Sequence, residues 1–161
     1  MNTTTSNETE IIVDRDLPMV RIIREFDAPP EKVFRAHADA ELFARWNGPR
    51  GMETRIDHHD CRTGGSYRYV MADENGEYGF RGCFHDVRPG QLIIQTFTYE
   101  GEPDGVALEK IMFEDLGDGR TRLTSESLCD SFEGRDAFVA SGMEVGVVEG
   151  YQRLDEVLAA G

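Results

Sequence analysis

The fold is decided by the segment WNGPRG at residues 46–51. A glycine pair follows in GGSY at residues 64–67, and the chain closes with the periodic segment GMEVGVVEG at residues 142–150. Proline ends a helix, and the glycines after it are typical of tight turns. This order predicts a curved sheet that holds a long carboxy-terminal helix around an interior space.

The region between residues 52 and 128 has the composition of a sheet. It consists of short runs rich in Thr, Tyr, Phe, Val and Ile, separated by turn sequences. These turns are TGG (63–65), ENGE (74–77), PG (89–90), GEPDG (101–105) and GDG (117–119). Asn-Gly and Gly-Asp-Gly favour hairpins because such turns require positive φ. The connections are too short for crossover helices, so we expect about six antiparallel strands here, after an earlier strand at residues 20–26.

Helical periodicity flanks this sheet region. Two short helices are predicted between Pro30 and Pro49, the first with Val33 and His37 on one face. The last helix is predicted over residues 135–159. Its apolar stripe consists of Met143, Val147, Tyr151, Leu154 and Leu158. Gly142, Gly146 and Gly150 run beside the stripe, and they indicate either close backbone approach or unfilled volume.

Length and charge limit the function classes. The 161 residues fit one domain, which we place at residues 18–161 after a frayed tail at residues 1–17. A net charge of −14, from 17 basic and 31 acidic side chains, argues against nucleic acid and against insertion into anionic membranes. Three widely spaced cysteines and no recognisable signal peptide lead us to expect a cytoplasmic protein without disulfides.

Five segments in order carry a resemblance to a known family. They are FDAPPEKVF (26–34), RWNGP (45–49), DCRTGGSYR (60–68), FEDLGDGRTRLT (113–124) and GMEVG (142–146). Together they resemble the START-like, or SRPBCC, superfamily, and within it the homologues of the activator of the heat-shock protein 90 ATPase. The resemblance implies an α+β helix-grip fold. It has a curved antiparallel sheet of about six to seven strands, two short helices and a long carboxy-terminal helix over a cavity.

The resemblance also implies a ligand site in that cavity. Members of the superfamily hold hydrophobic molecules between sheet and helix. For this chain we expect a small hydrophobic or aromatic ligand and no cofactor, and a homodimer is a candidate assembly. The predicted lining residues are Trp46, Tyr67, Tyr69, Phe84, Phe97, Met112, Met143, Val147 and Tyr151. Several family helices carry a tryptophan where this chain has Val147, which implies a larger cavity here.

Three functions stay open from the sequence. The first is binding of a small hydrophobic molecule without catalysis. The second is a cyclase- or hydrolase-like enzyme in the same cavity, with His37 or Tyr67 as the proton-transfer group. Glu144 and Glu149 would serve as general bases only if they were turned inward and desolvated. The third is a co-chaperone-like module that binds another protein.

A metal site is not predicted. His58, His59, Asp60 and Cys61 are metal-capable, but along a strand they divide between two faces, which leaves two ligands on each. Nothing in the sequence brings His85 close enough to complete such a set. We interpret the segment as a solvated strand end. Trp46 remains open between a lid over the cavity and a core anchor.

Overall fold

A computed structural model of the chain describes residues 7–161. In chain order the strands are β1 (Glu10–Val13), β2 (Met19–Phe26), β3 (Glu53–His59), β4 (Ser66–Asp73), β5 (Gly76–Arg88), β6 (Leu92–Tyr99), β7 (Ala107–Gly117) and β8 (Arg120–Cys129). The helices are α1 (Pro30–Ala38), α2 (Ala40–Trp46), α3 (Phe132–Ala140) and α4 (Met143–Ala160). The predicted α+β class is confirmed.

All eight strands form one antiparallel sheet in the order β1-β2-β8-β7-β6-β5-β4-β3. Strands β3 to β8 make a meander, and β2 joins it by pairing with β8. The connection between β2 and β3 contains α1 and α2, and it runs from β2, next to one edge of the sheet, to β3 at the opposite edge. None of the helices within residues 7–161 is long and apolar enough to cross a membrane.

The strand count differs from the prediction because β1 lies inside the segment expected to be a tail. Its four residues pair with β2, with Ile12 opposite Arg21. A turn follows directly, in which the Asp14 carboxylate accepts hydrogen bonds from the backbone N–H groups of Asp16 and Leu17, both at 2.8 Å. A strand this short has no periodicity to detect. The remainder of the predicted tail at residues 1–6 lies outside the described residues.

The predicted carboxy-terminal helix is two helices. The chain breaks after α3 at Gly142, which has a φ of +89° and precedes the first residue of α4. Glycine adopts this left-handed conformation without steric penalty, whereas a helix interior requires negative φ. The whole predicted stripe, from Met143 to Leu158, lies within α4, and its members are buried except for Val147, which is half-buried.

The glycines of α4 allow the helix to approach the segment quoted first. A Cβ on Gly150 would lie 3.3 Å from the Trp46 carbonyl oxygen and 3.4 Å from the Gly48 nitrogen. Arg153 donates to the carbonyl oxygens of Arg45 at 2.8 Å and Gly48 at 3.1 Å. Close approach is therefore the correct reading at Gly150, and the partner is the end of α2.

Helices α1, α2 and α4 lie over one face of the sheet, which we call the inner face. Aromatic side chains join the two layers, with ring centroids 5.6 Å apart for Phe34 and Phe113 and 5.3 Å for Phe26 and Tyr151. At the far end of α4, Lys32 donates to the Leu158 carbonyl oxygen at 2.7 Å. The aromatic contacts thus hold the helical layer to the sheet, and the Lys32 hydrogen bond holds α1 to the end of α4.

Candidate functional site in the helix–sheet interior

An aromatic wall covers the part of the inner face formed by β4, β5 and β6. Tyr67 pairs with Gly82 and Tyr69 with Phe80 across β4 and β5, so the tyrosines share a face with Phe84. The Tyr67 and Tyr69 rings are stacked at 6.1 Å, and Tyr69 stacks on Phe80 at 5.3 Å. Tyr67, Tyr69 and Phe84 are each less than a tenth exposed.

Gly82 makes room for the Tyr67 ring. A Cβ at this position would lie 2.0 Å from the Thr96 carbonyl oxygen and 2.6 Å from the Tyr67 hydroxyl oxygen. The Tyr67 hydroxyl uses this space to donate to the same Thr96 carbonyl at 2.6 Å. The phenol is therefore held in one orientation against the sheet.

A polar cluster lies beside this wall at the centre of the inner face. It consists of Tyr67, Gln95, Glu109 and Ser127, and we call it the Glu109 cluster. Ser127 donates its hydroxyl to Glu109 Oε2 at 2.7 Å, and Gln95 Nε2 donates to Glu109 Oε1 at 2.9 Å. Gln95 also lies 3.5 Å from the Tyr67 hydroxyl. The register explains the grouping, since Glu109 is directly opposite Gln95 on β6 and Ser127 on β8.

Desolvation dominates the electrostatics of Glu109. Burial raises the pKa of this carboxyl, and the hydrogen bonds from Ser127 and Gln95 oppose the rise without cancelling it. The tyrosines nearby respond in the same way. Burial, reinforced by the negative charge of Glu109, raises the pKa of Tyr67, Tyr69 and Tyr151, so these phenols stay neutral at physiological pH.

Tyr151 of α4 lies in the same interior. Its side chain is 8% exposed, and its ring meets Phe26 and, at 6.1 Å, Trp46. Within residues 7–161 its hydroxyl makes no hydrogen bond to another residue. The interior therefore contains a phenol with free hydrogen-bonding capacity close to a carboxyl group.

The fold and this interior place the chain among known proteins. A sequence model of the family described as "Activator of Hsp90 ATPase homolog 1-like protein" matches residues 27–159. The chain belongs to this family. The matched residues include helices and strands of both layers and every residue of the Glu109 cluster. Membership of this family is consistent with the START-like superfamily, whose fold commonly binds hydrophobic ligands.

Solved structures of similar fold come from several bacteria. A protein from Arthrobacter aurescens has a TM-score of 0.85 at 25% identity, over 94% of this chain and 92% of that chain. A Rhodobacter sphaeroides protein has a TM-score of 0.84 at 26% identity, over 94% of this chain and 98% of that chain. A Chromobacterium violaceum protein has a TM-score of 0.75 at 26% identity, over 86% of this chain and 96% of that chain. No curated protein is significantly similar to this chain.

In this family member Trp46 is a core anchor. It is 6% exposed, and its indole N–H donates to the Ala36 carbonyl oxygen at 2.8 Å. That carbonyl belongs to the last turn of α1, where helix carbonyls lack an intrahelical partner. Of the two interpretations that the sequence left open, the structure therefore agrees with the anchor.

His37 is packed beside this anchor. Its ring lies 4.8 Å from Trp46 and 5.3 Å from Phe113, and Nδ1 donates to the Val33 carbonyl oxygen at 2.9 Å. Desolvation lowers the pKa of His37 to about 4, although the hydrogen bond to Val33 acts in the opposite direction. The imidazole is neutral near pH 7 and fixed in the core, which does not favour the proton-transfer role considered from the sequence.

His58 and His59 separate as the strand alternation predicts. His58 is exposed and contacts Asp57 and Ser66. His59 turns inward, stacks on Phe43 at 5.1 Å, and donates Nε2 to the His37 carbonyl oxygen at 2.9 Å. Across residues 7–161 no group of three or more His, Cys, Asp or Glu side chains is arranged to hold a metal ion.

The remaining predicted residues lie in different places. Phe97 is on the inner face, where its ring stacks on Phe80 at 5.5 Å, and Met143 and Val147 are on the α4 stripe. Met112 is not an interior residue. It follows Ile111 and precedes Phe113, which meets α1 through Phe34, so strand alternation turns Met112 to the outer face.

The acidic residues predicted on the last helix do not enter the interior. Glu144 is exposed, and Glu149 accepts a hydrogen bond from the Arg50 backbone N–H at 2.9 Å. Glu109 is an acid of the interior, and the sequence pattern did not predict it. A detectable signal was its position two residues before Ile111 and four before Phe113, on the same strand face.

An open cleft of about 540 Å³ lies elsewhere, between the loop after α2 and the β4–β5 turn. Its lining residues are Pro49, Arg50, Gly51, Met52, Asp73, Glu74 and Asn75. None of the predicted site residues is among them. The lining has no aromatic side chain, which sets this cleft apart from the aromatic interior.

Proposed function

We propose that this protein binds a small, mainly apolar molecule in the interior between the inner face of the sheet and α4. The observation that carries the proposal is a contrast in burial along the inner face. Gln95, Phe97 and Ile111 are partly exposed at its centre. Flanking inward residues such as Phe26, Ile93 and Leu123 are at most 2% exposed.

This contrast indicates space beneath the helical layer. A closely packed helix would bury the central positions as completely as the flanking ones. Here α4 reaches the sheet through long side chains, such as Tyr151 against Phe26 and Asp155 against Arg24. Pockets with mostly apolar walls and a few polar groups are the usual form of small-molecule sites. The aromatic wall and the Glu109 cluster have that composition.

The proposal is tested by filling the interior. Val147→Trp adds a large side chain to the inward stripe of α4 and is expected to abolish binding of 1-naphthalenemethanol, measured by isothermal titration calorimetry. Val145→Trp is the matched control, because Val145 is 55% exposed on the same helix. It is expected to leave the affinity unchanged.

Folding of both variants is checked by circular dichroism and thermal unfolding. Equal affinity of folded Val147→Trp and wild-type protein would place the ligand outside this interior. Native mass spectrometry of freshly purified wild-type protein provides a second measurement. We expect a bound molecule of defined mass that the Val147→Trp variant lacks.

A further inference from the structure

The Glu109 carboxyl has no positively charged partner among the residues that the structure describes. Both of its hydrogen-bond donors, Ser127 and Gln95, are neutral. An ionised carboxylate offers about four acceptor positions, and these two donors leave about two of them free. A desolvated negative charge is costly unless a cation compensates it.

The groups that face Glu109 come from both layers of the fold. Those that titrate are Tyr67 and Tyr69 on β4, Cys129 on β8 and Tyr151 on α4, with His59 on β3 packed against Tyr67. The positive charge of Arg24 on β2 lowers the pKa of Tyr151, but the guanidinium is itself paired with Asp155 through hydrogen bonds of 2.6 Å and 2.7 Å. Besides the Cys129 thiol and the His59 imidazole, whose pKa is lowered by burial, these groups are neutral phenols, and the Arg24 guanidinium is already paired.

Aromatic faces and an unpaired carboxylate attract the same ligand group. The ring quadrupole stabilises an ammonium ion placed over the face of a tyrosine, and the carboxylate accepts its hydrogen bonds. The net charge of −14 acts in the same direction over longer distances, because it concentrates cations near the protein and repels anions.

We propose that the ligand is an apolar molecule with a protonated amine, and that the ammonium group binds to the Glu109 carboxylate while the apolar part contacts the aromatic wall. This inference rests on the proposed function, since it names the ligand class for the same interior. Ser127 and Gln95 hold the carboxylate in position, and the Tyr151 hydroxyl is available as a further acceptor for the ammonium hydrogens.

Three probes with one apolar body test the inference. They are 1-naphthylmethylamine, 1-naphthalenemethanol and 1-naphthoic acid, which at pH 7.5 are cationic, neutral and anionic. Calorimetric titration of the wild-type protein is expected to give at least about tenfold tighter binding of the amine than of the alcohol, as a charge-assisted hydrogen bond provides. The acid is expected to bind weakest.

Glu109→Gln keeps the shape of the side chain and removes its charge. In this variant the amine and the alcohol are expected to bind within about threefold of each other, with alcohol binding unchanged. Glu144→Gln is the matched control, because it removes one exposed negative charge from the same protein. The control is expected to retain the wild-type preference for the amine, which separates the local effect of Glu109 from the overall field.

Acidification gives an independent readout. Amine binding to the wild-type protein is expected to weaken as Glu109 becomes protonated, while alcohol binding and all binding to Glu109→Gln stay constant. Equal affinities of amine and alcohol for the wild-type protein would overturn the amine inference and leave the proposed function standing. A Glu109→Gln variant that keeps the amine preference would have the same consequence. Absence of binding by all three probes would overturn the proposed function as well.

Discussion

Replacement of His37 is expected to change the pH dependence of stability in a way that can be calculated. The side chain is 6% exposed and lies between two aromatic rings, so the folded protein holds the imidazole in its neutral form. In the unfolded chain the imidazole is solvated and titrates normally. Since the folded pKa is the lower one, His37 contributes stability above the unfolded pKa, and this contribution is lost as pH falls towards the folded pKa.

The magnitude follows from the two pKa values. The pKa of His37 is lowered from 6.5 to about 4 on folding, mainly by desolvation. Each unit corresponds to about 1.4 kcal/mol, so the full effect is about 3 kcal/mol. The loss of stability accumulates mainly below pH 6.5, where the unfolded imidazole is mostly protonated and the folded one is still neutral. Between pH 7.5 and pH 5 the expected loss is therefore about 2 kcal/mol.

The variant His37→Phe isolates this contribution. Phenylalanine keeps an aromatic ring against Trp46 and Phe113 but does not titrate. Urea unfolding, followed by fluorescence of the single tryptophan, gives the free energy of unfolding of both proteins at several pH values. The wild-type value minus the variant value is expected to fall by about 2 kcal/mol from pH 7.5 to pH 5, because carboxyl titrations common to both proteins cancel.

His85→Gln is the control, since His85 is exposed on β5. A pH-dependent change is assigned to His37 only to the extent that this control does not reproduce it. A His37→Phe difference that does not change with pH would refute the reasoning, because it would mean that the imidazole accepts a proton in the folded protein.

Three further predictions concern stability and are measured by urea unfolding. Gly150→Ala is expected to destabilise the protein, because its Cβ would lie 3.3 Å from a backbone oxygen of α2, whereas Gly146→Ala, with 3.6 Å to a proline ring, is expected to stabilise it by up to about 1 kcal/mol. Asp155→Asn removes the negative charge that pairs with the buried Arg24 and is expected to lower the free energy of unfolding by about 1–3 kcal/mol. Glu156→Gln, in the exposed pair with Arg50, is expected to lower it by less than about 0.5 kcal/mol. Glu109→Gln is expected to stabilise the protein at pH 7.5, and this gain should shrink as pH falls below the raised pKa of the carboxyl.

The strands and their turns could be predicted because local chemistry determines them. Gly117, Asp118 and Gly119 all have positive φ, between +55° and +83°, and they form the β7–β8 turn that the sequence indicated. Gly76, the glycine of the predicted Asn-Gly pair, directly follows the β4–β5 turn as the first residue of β5, with a φ of +152°. Conformations of this kind favour particular residues wherever they occur, so no knowledge of distant contacts is needed.

The break between α3 and α4 could not be predicted in this way. A glycine lowers helix stability by about 1 kcal/mol whether it lies inside a helix or ends it, so composition alone does not separate the two cases. Gly142 ends a helix and Gly150 lies inside one. The difference arises from tertiary contacts, because Gly150 packs on the end of α2 and a Cβ at Gly142 would meet no atom within 4 Å.

The candidate site could be predicted only in part, for a reason that lies in β7. The tyrosines of β4 were selected because aromatic residues alternate there. Strand β7 begins with Ala107, and the alternation of Leu108 and Glu109 after it resembles a strand with the leucine inside and the carboxylate outside. The structure has the opposite arrangement, with Leu108 42% exposed and Glu109 inward. Met112 lies on the same outer face as Leu108, opposite to its predicted place in the cavity lining.

The register of β7 explains why the carboxyl group cannot avoid the interior. Ile111 and Phe113 pack against the core, and Phe113 meets His37 and Phe34 directly. A slip of one residue would turn Leu108 inward but would also bury Lys110 and expose Phe113. Glu109 therefore has to be accommodated, yet a neutral residue at the same position would remove the desolvation penalty. Local penalties of this kind occur mainly at functional sites, where a ligand supplies the missing partner. The Glu109 charge lowers the free energy of unfolding of the ligand-free protein, and a bound cation would turn that contribution into a favourable one. Removal of the charge in Glu109→Gln should therefore raise the stability of the ligand-free protein and abolish its preference for the amine.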